Sequence, residues 1–596
     1  MCGIFGLIVK ETSPLTNDFN DLVESLFLLS ESRGKEASGY AFLSGNTIEV
    51  VKSPLKASEL VKQRVFRNGL TKNKTKAVSS QNSFSVIGHS RLVTDGYEQD
   101  NQNNQPVVTN DFVMVHNGIV VNHNELWLNY PQIRRQSNLD TEIIPAILLK
   151  FLNQGKSISE SFGLMYDEIN GMTTLATIFT EYDYLFLSTN NGSLYFSTDH
   201  QQFFVFGSEL TILKDFIKKN KINAYNGETE IVQLLPNHYL QLDLSQLSFV
   251  HSSYDAQSGS ILNHKIQKKV VIDLSSQVVS KNIYINTSLH HDSFEVPQRY
   301  LDDFNKRYQK AEKLIRCTKC ILPETFPLIS FDDDGICNYC RDYTKLVFKG
   351  EDQLKLLLES VKTNNTKHDC LIPFSGGRDS SYLLHIIKTK YNMNPLAFSY
   401  DWGMLTDLAR RNQSRMCGKL GVEHILISAD IRHKRENIRK NVEAWLAKPN
   451  LGTIPLFMAG DKQYFYYANK LAKENEIPII MMGENPLEKT GFKTGFSGAK
   501  QSKDGFMAYS LDLPNKIRMS SFYIKEFIKN PKFINSSLYD TTSAFFSYYV
   551  LRHDYLNYFD FIPWSEEVVN QTLLDEYKWE IDPETTTTWR IGDGTA

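Results

Sequence analysis

One stretch constrains this chain more than any other: Ser375-Gly376-Gly377-Arg378-Asp379-Ser380-Ser381. An apolar run, Cys370-Leu-Ile-Pro-Phe374, leads into it, and a helical run, Tyr382-Leu-Leu-His-Ile-Ile-Lys388, leaves it. The order is strand, glycine-rich turn, helix. Two glycines let the backbone turn tightly and approach a ligand closely. The helix start offers free N–H groups and a positive dipole end to a phosphate. The hydroxyls of Ser375, Ser380 and Ser381 can bond the same anion. Asp379 has no place against bare phosphate unless a divalent cation lies between them. A glycine turn capped by Ser and Asp would account for one serine and one glycine, not for the whole string. A Walker loop would need Gly-Lys-Ser/Thr, which is absent.

Short apolar strands and helices alternate from here on. Pro395–Tyr400 precedes Asp401, a helix is expected from about Thr406 to Leu420, and His424–Ile427 forms a third strand. This βαβαβ order implies a parallel sheet with helices on both faces. Ligands bind at the carboxyl ends of such strands, where Ser375 and Asp401 both fall. A later strand, Ile477–Met482, delivers Gly483-Glu484-Asn485-Pro486 to the same edge. The glycine-rich string resembles the PP-loop of ATP pyrophosphatases such as asparagine, GMP and NAD synthetases and tRNA thiolases. The resemblance implies a Rossmann-like (HUP) fold, ATP with Mg²⁺, and adenylation of a substrate oxygen with release of pyrophosphate. It makes Ser375 to Ser381 and Asp401 the ATP-binding candidates. Gly483, Glu484 and Asn485 become acceptor-binding candidates. The glycine-rich Gly491–Gly498 reads as a loop over the acceptor or as a mobile surface loop. The aromatic Phe545–Tyr549 run reads as core.

At the other end, Cys2 directly follows Met1, and removal of Met1 would place a thiol beside an α-amine of near-neutral pKa. Three further stretches accompany it: Arg33–Gly39, Gly88–Gly96, and His116-Asn117-Gly118 followed by Asp140-Thr141-Glu142. With Cys2–Gly6 they resemble class II glutamine amidotransferase domains over roughly the first two hundred residues. The resemblance implies an Ntn-type αββα sandwich in which Cys2 attacks the amide of L-glutamine. Asn117 and the Gly118 N–H would hold the oxyanion. Arg91 would pair with the α-carboxylate and Asp140 with the α-ammonium. Relatives with glucosamine synthase-like motifs carry Trp after the matched arginine and His before the matched glycine. Leu92 and Asp95 stand there in this chain. Alternating apolar runs between 172 and 210 supply further strands of the sandwich.

Cys317-Thr-Lys-Cys320 and Cys337-Asn-Tyr-Cys340 gather four of the seven cysteines in one short region. Two such knuckles suit tetrahedral Zn²⁺ with a structural role, and an iron–sulfur cluster is the rival occupant. The words around them, Ile321–Thr325 and Ile329–Ile336, resemble the opening of N-acetyl sugar amidotransferases of surface-polysaccharide biosynthesis. Those enzymes turn an acetamido group on a nucleotide sugar into an acetamidino group.

The expected domains are therefore a glutaminase (1–225), a connecting segment (226–310), a cysteine-rich zinc module (311–345) and a PP-loop synthetase (346–596). A net charge of -3 gives no global attraction to nucleic acid or anionic membrane. No apolar run is long enough to span a bilayer, so a cytoplasmic protein is expected. The expected reaction joins ammonia from glutamine to an AMP-activated acceptor, with an internal ammonia path between the two sites. The first choice of acceptor is a nucleotide sugar. Alternatives are asparagine synthetase-like amidation of a carboxylate, a tRNA-thiolase-like protein, and a non-catalytic scaffold. Oligomeric state stays open, with a homodimer among the arrangements. The terminal run 585–596 reads as an internal loop rather than a disordered tail.

Overall fold

The computed structural model describes residues 2–72, 83–93, 96–131, 133–222, 230–255, 265–279, 298–326, 329–343, 345–362, 368–454, 461–485, 513–551 and 555–581. Thr94, Asp95, Pro486, Gly491–Gly498 and 585–596 lie outside the described residues.

The N-terminal strands are β1 (Gly3–Lys10), β2 (Ala37–Ser44), β3 (Thr47–Ser53), β4 (Ser83–Arg91), β5 (Val107–Val108), β6 (Phe112–Gly118) and β7 (Thr173–Phe179). They continue with β8 (Tyr184–Thr189), β9 (Tyr195–Thr198), β10 (Phe203–Gly207), β11 (Ile231–Gln233), β12 (His238–Asp243), β13 (Phe249–Ser253) and β14 (Val270–Asp273). One sheet runs β11-β9-β10-β1-β4-β2-β3-β14 and the other β13-β12-β8-β7-β6-β5. Strand alternation splits each sheet between two apolar seams. Phe5, Leu7 and Val9 pack under the helix Phe19–Ser30, whereas Ile4 and Ile8 meet Val113, Val115 and Ala176 of the second sheet. A third seam joins that sheet to the helices Ile143–Asn153 and Ile158–Glu168, the latter started by a Ser157/Glu160 capping box. The layers are helix, sheet, sheet, helix.

The expected boundary at residue 225 falls inside this sandwich. β12 joins the second sheet as an interior strand, and β11, β13 and β14 form sheet edges. An edge strand with a solvated face carries weak alternation, so this region reads as a linker.

The C-terminal sheet contains β15 (Cys370–Pro373), β16 (Pro395–Asp401), β17 (His424–Ser428), β18 (Ile480–Met482) and β19 (Tyr555–Asn557). All pair in parallel, in the order β17-β16-β15-β18-β19. Strand order reverses between β15 and β18, and there the crevice of a doubly wound sheet opens. Apolar side chains cover both faces, as a buried parallel sheet requires. The aromatic run Phe545–Tyr549 is not core. It continues a helix into a five-residue π-helical turn, Phe546–Val550, and lines a surface cavity with Tyr523 and Phe527. No described helix is long and apolar enough to cross a membrane.

Candidate active sites

The glutaminase candidates gather at the ends of β1, β4 and β6. Cys2 is 5% exposed, Arg91 2%, Asn117 1% and Asp140 2%. The Cys2 thiol donates to the Leu92 carbonyl at 3.5 Å. Burial raises its pKa above the usual thiol value, Arg91 and the amino terminus pull against that, and Asp140 adds to it. Arg91 donates from one nitrogen to Asn104 Oδ1 at 2.7 Å and from the other to the Gly96 carbonyl at 3.3 Å. Asp140 Oδ2 accepts from the Val120 N–H at 2.7 Å.

Gly118 sits at φ +152°, and a Cβ there would lie 1.8 Å from the Met172 carbonyl oxygen. No other residue fits, which fixes the backbone of the expected oxyanion donor. The Asn117 Oδ1 is buried without a partner among the described residues. Burial lowers the pKa of His116, and that of His89 well below its usual range. Burial thus disfavours a positive charge on either imidazole. Sequence reasoning missed Asn104, which holds Arg91, and Glu36, whose Oε2 accepts from the Val93 N–H at 2.5 Å.

The second site lies at the switch point of the parallel sheet. β15 leads into Ser375, whose Oγ accepts from the Gly377 N–H at 3.2 Å and lies 3.1 Å from Ser380 Oγ. The helix Arg378–Thr389 starts without a side-chain cap, so its first N–H groups point into the turn unclaimed by one. Ser381 Oγ is buried with no partner among the described residues. Gly376 has φ +80°, and a Cβ there would stand 2.6 Å from the Ala409 carbonyl oxygen.

Asp379 lies in the first helical turn and does not cap it. Its Oδ1 accepts from Trp564 Nε1 at 3.0 Å and lies 3.6 Å from Arg378 Nε. Burial raises its carboxyl pKa, with Trp564 and Arg378 opposing. Arg378 also pairs with Glu566 at 2.9 Å and lies over the Trp564 ring.

Gly483 packs against this helix, since a Cβ there would meet the Asp379 carbonyl at 2.9 Å. Asn557 fixes the next residue, accepting from Glu484 N at 2.9 Å and donating to its carbonyl at 3.0 Å. Asn485 is buried beside them. Asp401 is fully buried at the end of β16. One of its oxygens accepts from Gly403 N at 2.9 Å and the other meets Arg410 at 2.5 Å.

The four cysteines of the knuckles form a third group. Their sulfurs all lie within 4.8 Å of one another, with Cys317–Cys340 at 3.9 Å and Cys320–Cys337 at 3.6 Å. A tetrahedron with ~2.3 Å metal–sulfur bonds has edges of ~3.8 Å, so one ion fits the set. Burial raises the Cys317 thiol, but backbone N–H groups of Cys337, Cys320 and Lys319 outweigh it and bring it down to about 6.

The first two sites face each other across one interface. Leu92 and Met172 of the sandwich belong to the same apolar cluster as Phe374, Met416 and Cys417. Leu92 thus packs into the domain contact. A buried polar bond crosses it: Tyr195 donates to Glu423 at 2.6 Å, and His368 Nε2, on the Glu423 side, lies 2.9 Å from that carboxylate.

Residues 89–215 match the family profile described as "Glutamine amidotransferase domain". The chain is similar to the glutamine–fructose-6-phosphate aminotransferase [isomerizing] of Sulfurisphaera tokodaii, 25% identical over 228 residues, 36% of each chain. It is 29% identical to that of Bartonella henselae over 220 residues, 36% of this chain and 33% of the relative. The chain therefore spans about a third of the length of these curated relatives. Among solved structures, the glutamine phosphoribosylpyrophosphate amidotransferase from B. subtilis matches at TM-score 0.33 and 18% identity, over 43% of this chain and 49% of that one. An NH3-dependent NAD synthetase from Campylobacter jejuni matches at TM-score 0.18 and 10% identity, over 34% of this chain and 96% of that one. At these scores the two structures add nothing to the topology described above.

Proposed function

We propose that this chain is a glutamine-dependent, AMP-forming amidotransferase. The observation that carries the proposal is a shared contact: the cluster around Cys2 and the glycine-rich turn at the sheet switch point pack onto the same helix. Cys2 attacks the glutamine amide, with the amine exposed by loss of Met1 as base. Asn117 and the Gly118 N–H take the oxyanion charge, while Arg91 and Asp140 orient the amino-acid end. Ammonia passes inward to the second site.

There the Gly376–Gly377 turn, Ser375, Ser380, Ser381 and the start of the helix Arg378–Thr389 cradle phosphate oxygens of ATP. Asp379 would hold a Mg²⁺ ion there, which would supply charge neutralisation to the pyrophosphate leaving group. Gly483, Glu484 and Asn485 face the acceptor, whose oxygen is adenylated and then replaced by nitrogen. The acceptor is the acetamido group of a nucleotide sugar, and the product an acetamidine. The four knuckle thiolates would hold a structural zinc ion, and a closed set of four would leave no open position for chemistry.

The test is an assay of AMP and pyrophosphate release with Mg²⁺ and glutamine, across nucleotide sugars and amino acids. Turnover is expected with an N-acetylated nucleotide sugar, and ammonium chloride should replace glutamine. Turnover with a free carboxylic amino acid instead would move the assignment to an asparagine synthetase-like amidation.

A further inference from the structure

The helix Asp407–Leu420 touches both sites. It starts at the Thr406 cap, whose hydroxyl accepts from Ala409 N, and stops at Gly421 in the left-handed region. On the synthetase side it carries Ala409 and Gln413. The Ala409 carbonyl leaves no room for a Cβ on Gly376, and Gln413 Nε2 donates to the Phe374 carbonyl at 3.0 Å. On the glutaminase side it carries Ser414. That hydroxyl donates to the Ile119 carbonyl at 2.9 Å and accepts from Met172 N at 2.8 Å. Ile119 directly follows Gly118.

Arg410 lies between these contacts. It donates to the Val93 carbonyl at 3.1 Å and meets Asp401 at 2.5 Å. Val93 is thus held at both ends, its N–H by Glu36 of its own domain and its carbonyl by Arg410 of the other. The residues around Val93 bear directly on glutamine. They include Arg91 itself, the Leu92 carbonyl that takes the Cys2 thiol bond, and the Gly96 carbonyl that takes a bond from Arg91. Asp401 sits on β16, the strand paired with the one that leads into the phosphate cradle.

We propose that Arg410 is a positioning residue that passes the state of the phosphate cradle to the glutamine site, by gripping the Val93 carbonyl from Asp401. The inference rests on the functional reading above. Phosphates seated on Gly376 and Gly377 act on a turn with no slack against Ala409. Closely packed contacts transmit such a displacement rather than absorb it. The helix then carries it to Val93 through Arg410 and to Ile119 through Ser414. Coupling of this kind requires that the two states differ in contacts at both ends, and the helix supplies contacts at both.

The experiment measures steady-state glutamate release from glutamine by the full chain, with and without MgATP as the probe. It compares wild type, Arg410→Ala and Arg410→Lys. Wild type should show a lower KM for glutamine with MgATP present. Arg410→Ala should raise KM about tenfold, as loss of one charged hydrogen bond does, leave kcat nearly unchanged, and abolish the response to MgATP. Arg410→Lys keeps the charge beside Asp401, but a single ammonium cannot reproduce the fork that spans Asp401 and Val93. It should lose the MgATP response while unfolding at the wild-type temperature. Arg410→Lys thereby decides the matter if Arg410→Ala fails to fold. A wild-type KM and MgATP response in Arg410→Lys would overturn the proposal. So would a wild-type enzyme whose glutamine kinetics ignore MgATP, with the glutaminase reading left standing. Absence of any glutamate release by wild type would overturn that reading itself.

Discussion

The two candidate sites are built in opposite ways. In the first candidate site Cys2, Arg91, Asn117 and Asp140 are all buried, and three are already bonded to protein groups: Arg91 to Asn104, Asp140 to Val120, Cys2 to Leu92. The phosphate cradle keeps Ser375 exposed and Gly377, Arg378, Asp379 and Ser380 half-buried, with helix N–H groups not taken up by a cap. The first is preorganised for a small ligand whose transition-state charge is fixed in place. The second leaves its hydrogen-bonding capacity for a large anion to satisfy. Mutations in the first should therefore act on one bond-making step, and mutations in the second on binding of the nucleotide and its metal.

The largest effect expected is from Cys2→Ala. It should remove glutaminase activity altogether and leave product formation from ammonium salts intact, because in the reaction proposed above Cys2 serves only the ammonia-releasing half. A chain that retains Met1 should behave the same way, since its α-amine is not on Cys2. Product formation lost with both nitrogen sources would break the two-site division. Asn117→Ala tests preorganisation more finely. Loss of one oxyanion donor costs about 10²–10³ in kcat with little change in KM, read by glutamate release.

The zinc assignment separates the two regions in another way. Cys317→Ser, or chelation, should unfold the cysteine module and leave glutamate release unchanged. Structural zinc contributes about 10–16 kcal/mol to small modules at neutral pH, so its loss should expose the segment near 317 to limited proteolysis. Elemental analysis should find one zinc per chain; iron with sulfide would replace zinc by a cluster.

The contrast also explains what could be read from the chain. Cys2, Arg91, Asn117 and Asp140 each lie in a short local motif, and the structure brings them to one buried cluster. The cradle is a single contiguous string. The residues that escaped notice act through distant partners: Arg410 with Val93, Trp564 with Asp379, Asn557 with Glu484. No local spacing encodes bonds between residues so far apart in the chain. β19 escaped for a different reason, being three residues long and held by parallel pairing to β18 alone.

Asp379→Asn joins a large expected loss of activity to the smallest effect expected, the one on stability. Asp379→Asn should abolish AMP formation at every Mg²⁺ concentration, with glutamate release retained, because the cation loses its carboxylate. The same substitution should not cost folding stability. Burial is the largest influence on this carboxyl and raises its folded-state pKa, with the Trp564 bond and Arg378 only partly opposing. A group raised on folding contributes stability that is fully present below its unfolded pKa and is lost as pH rises through the folded pKa. At neutral pH the ionised Asp379 is therefore a net burden on the nucleotide-free fold. The amide that replaces it carries no charge to desolvate and keeps an oxygen for the Trp564 N–H. Thermal unfolding without nucleotide at pH 7 should give Asp379→Asn a Tm at or above that of wild type. The gap should close as the pH is lowered and the wild-type carboxyl takes up its proton. A variant that unfolds well below wild type at pH 7 would show that the Arg378 and Trp564 bonds outweigh burial, and would make Asp379 a structural residue of the cradle.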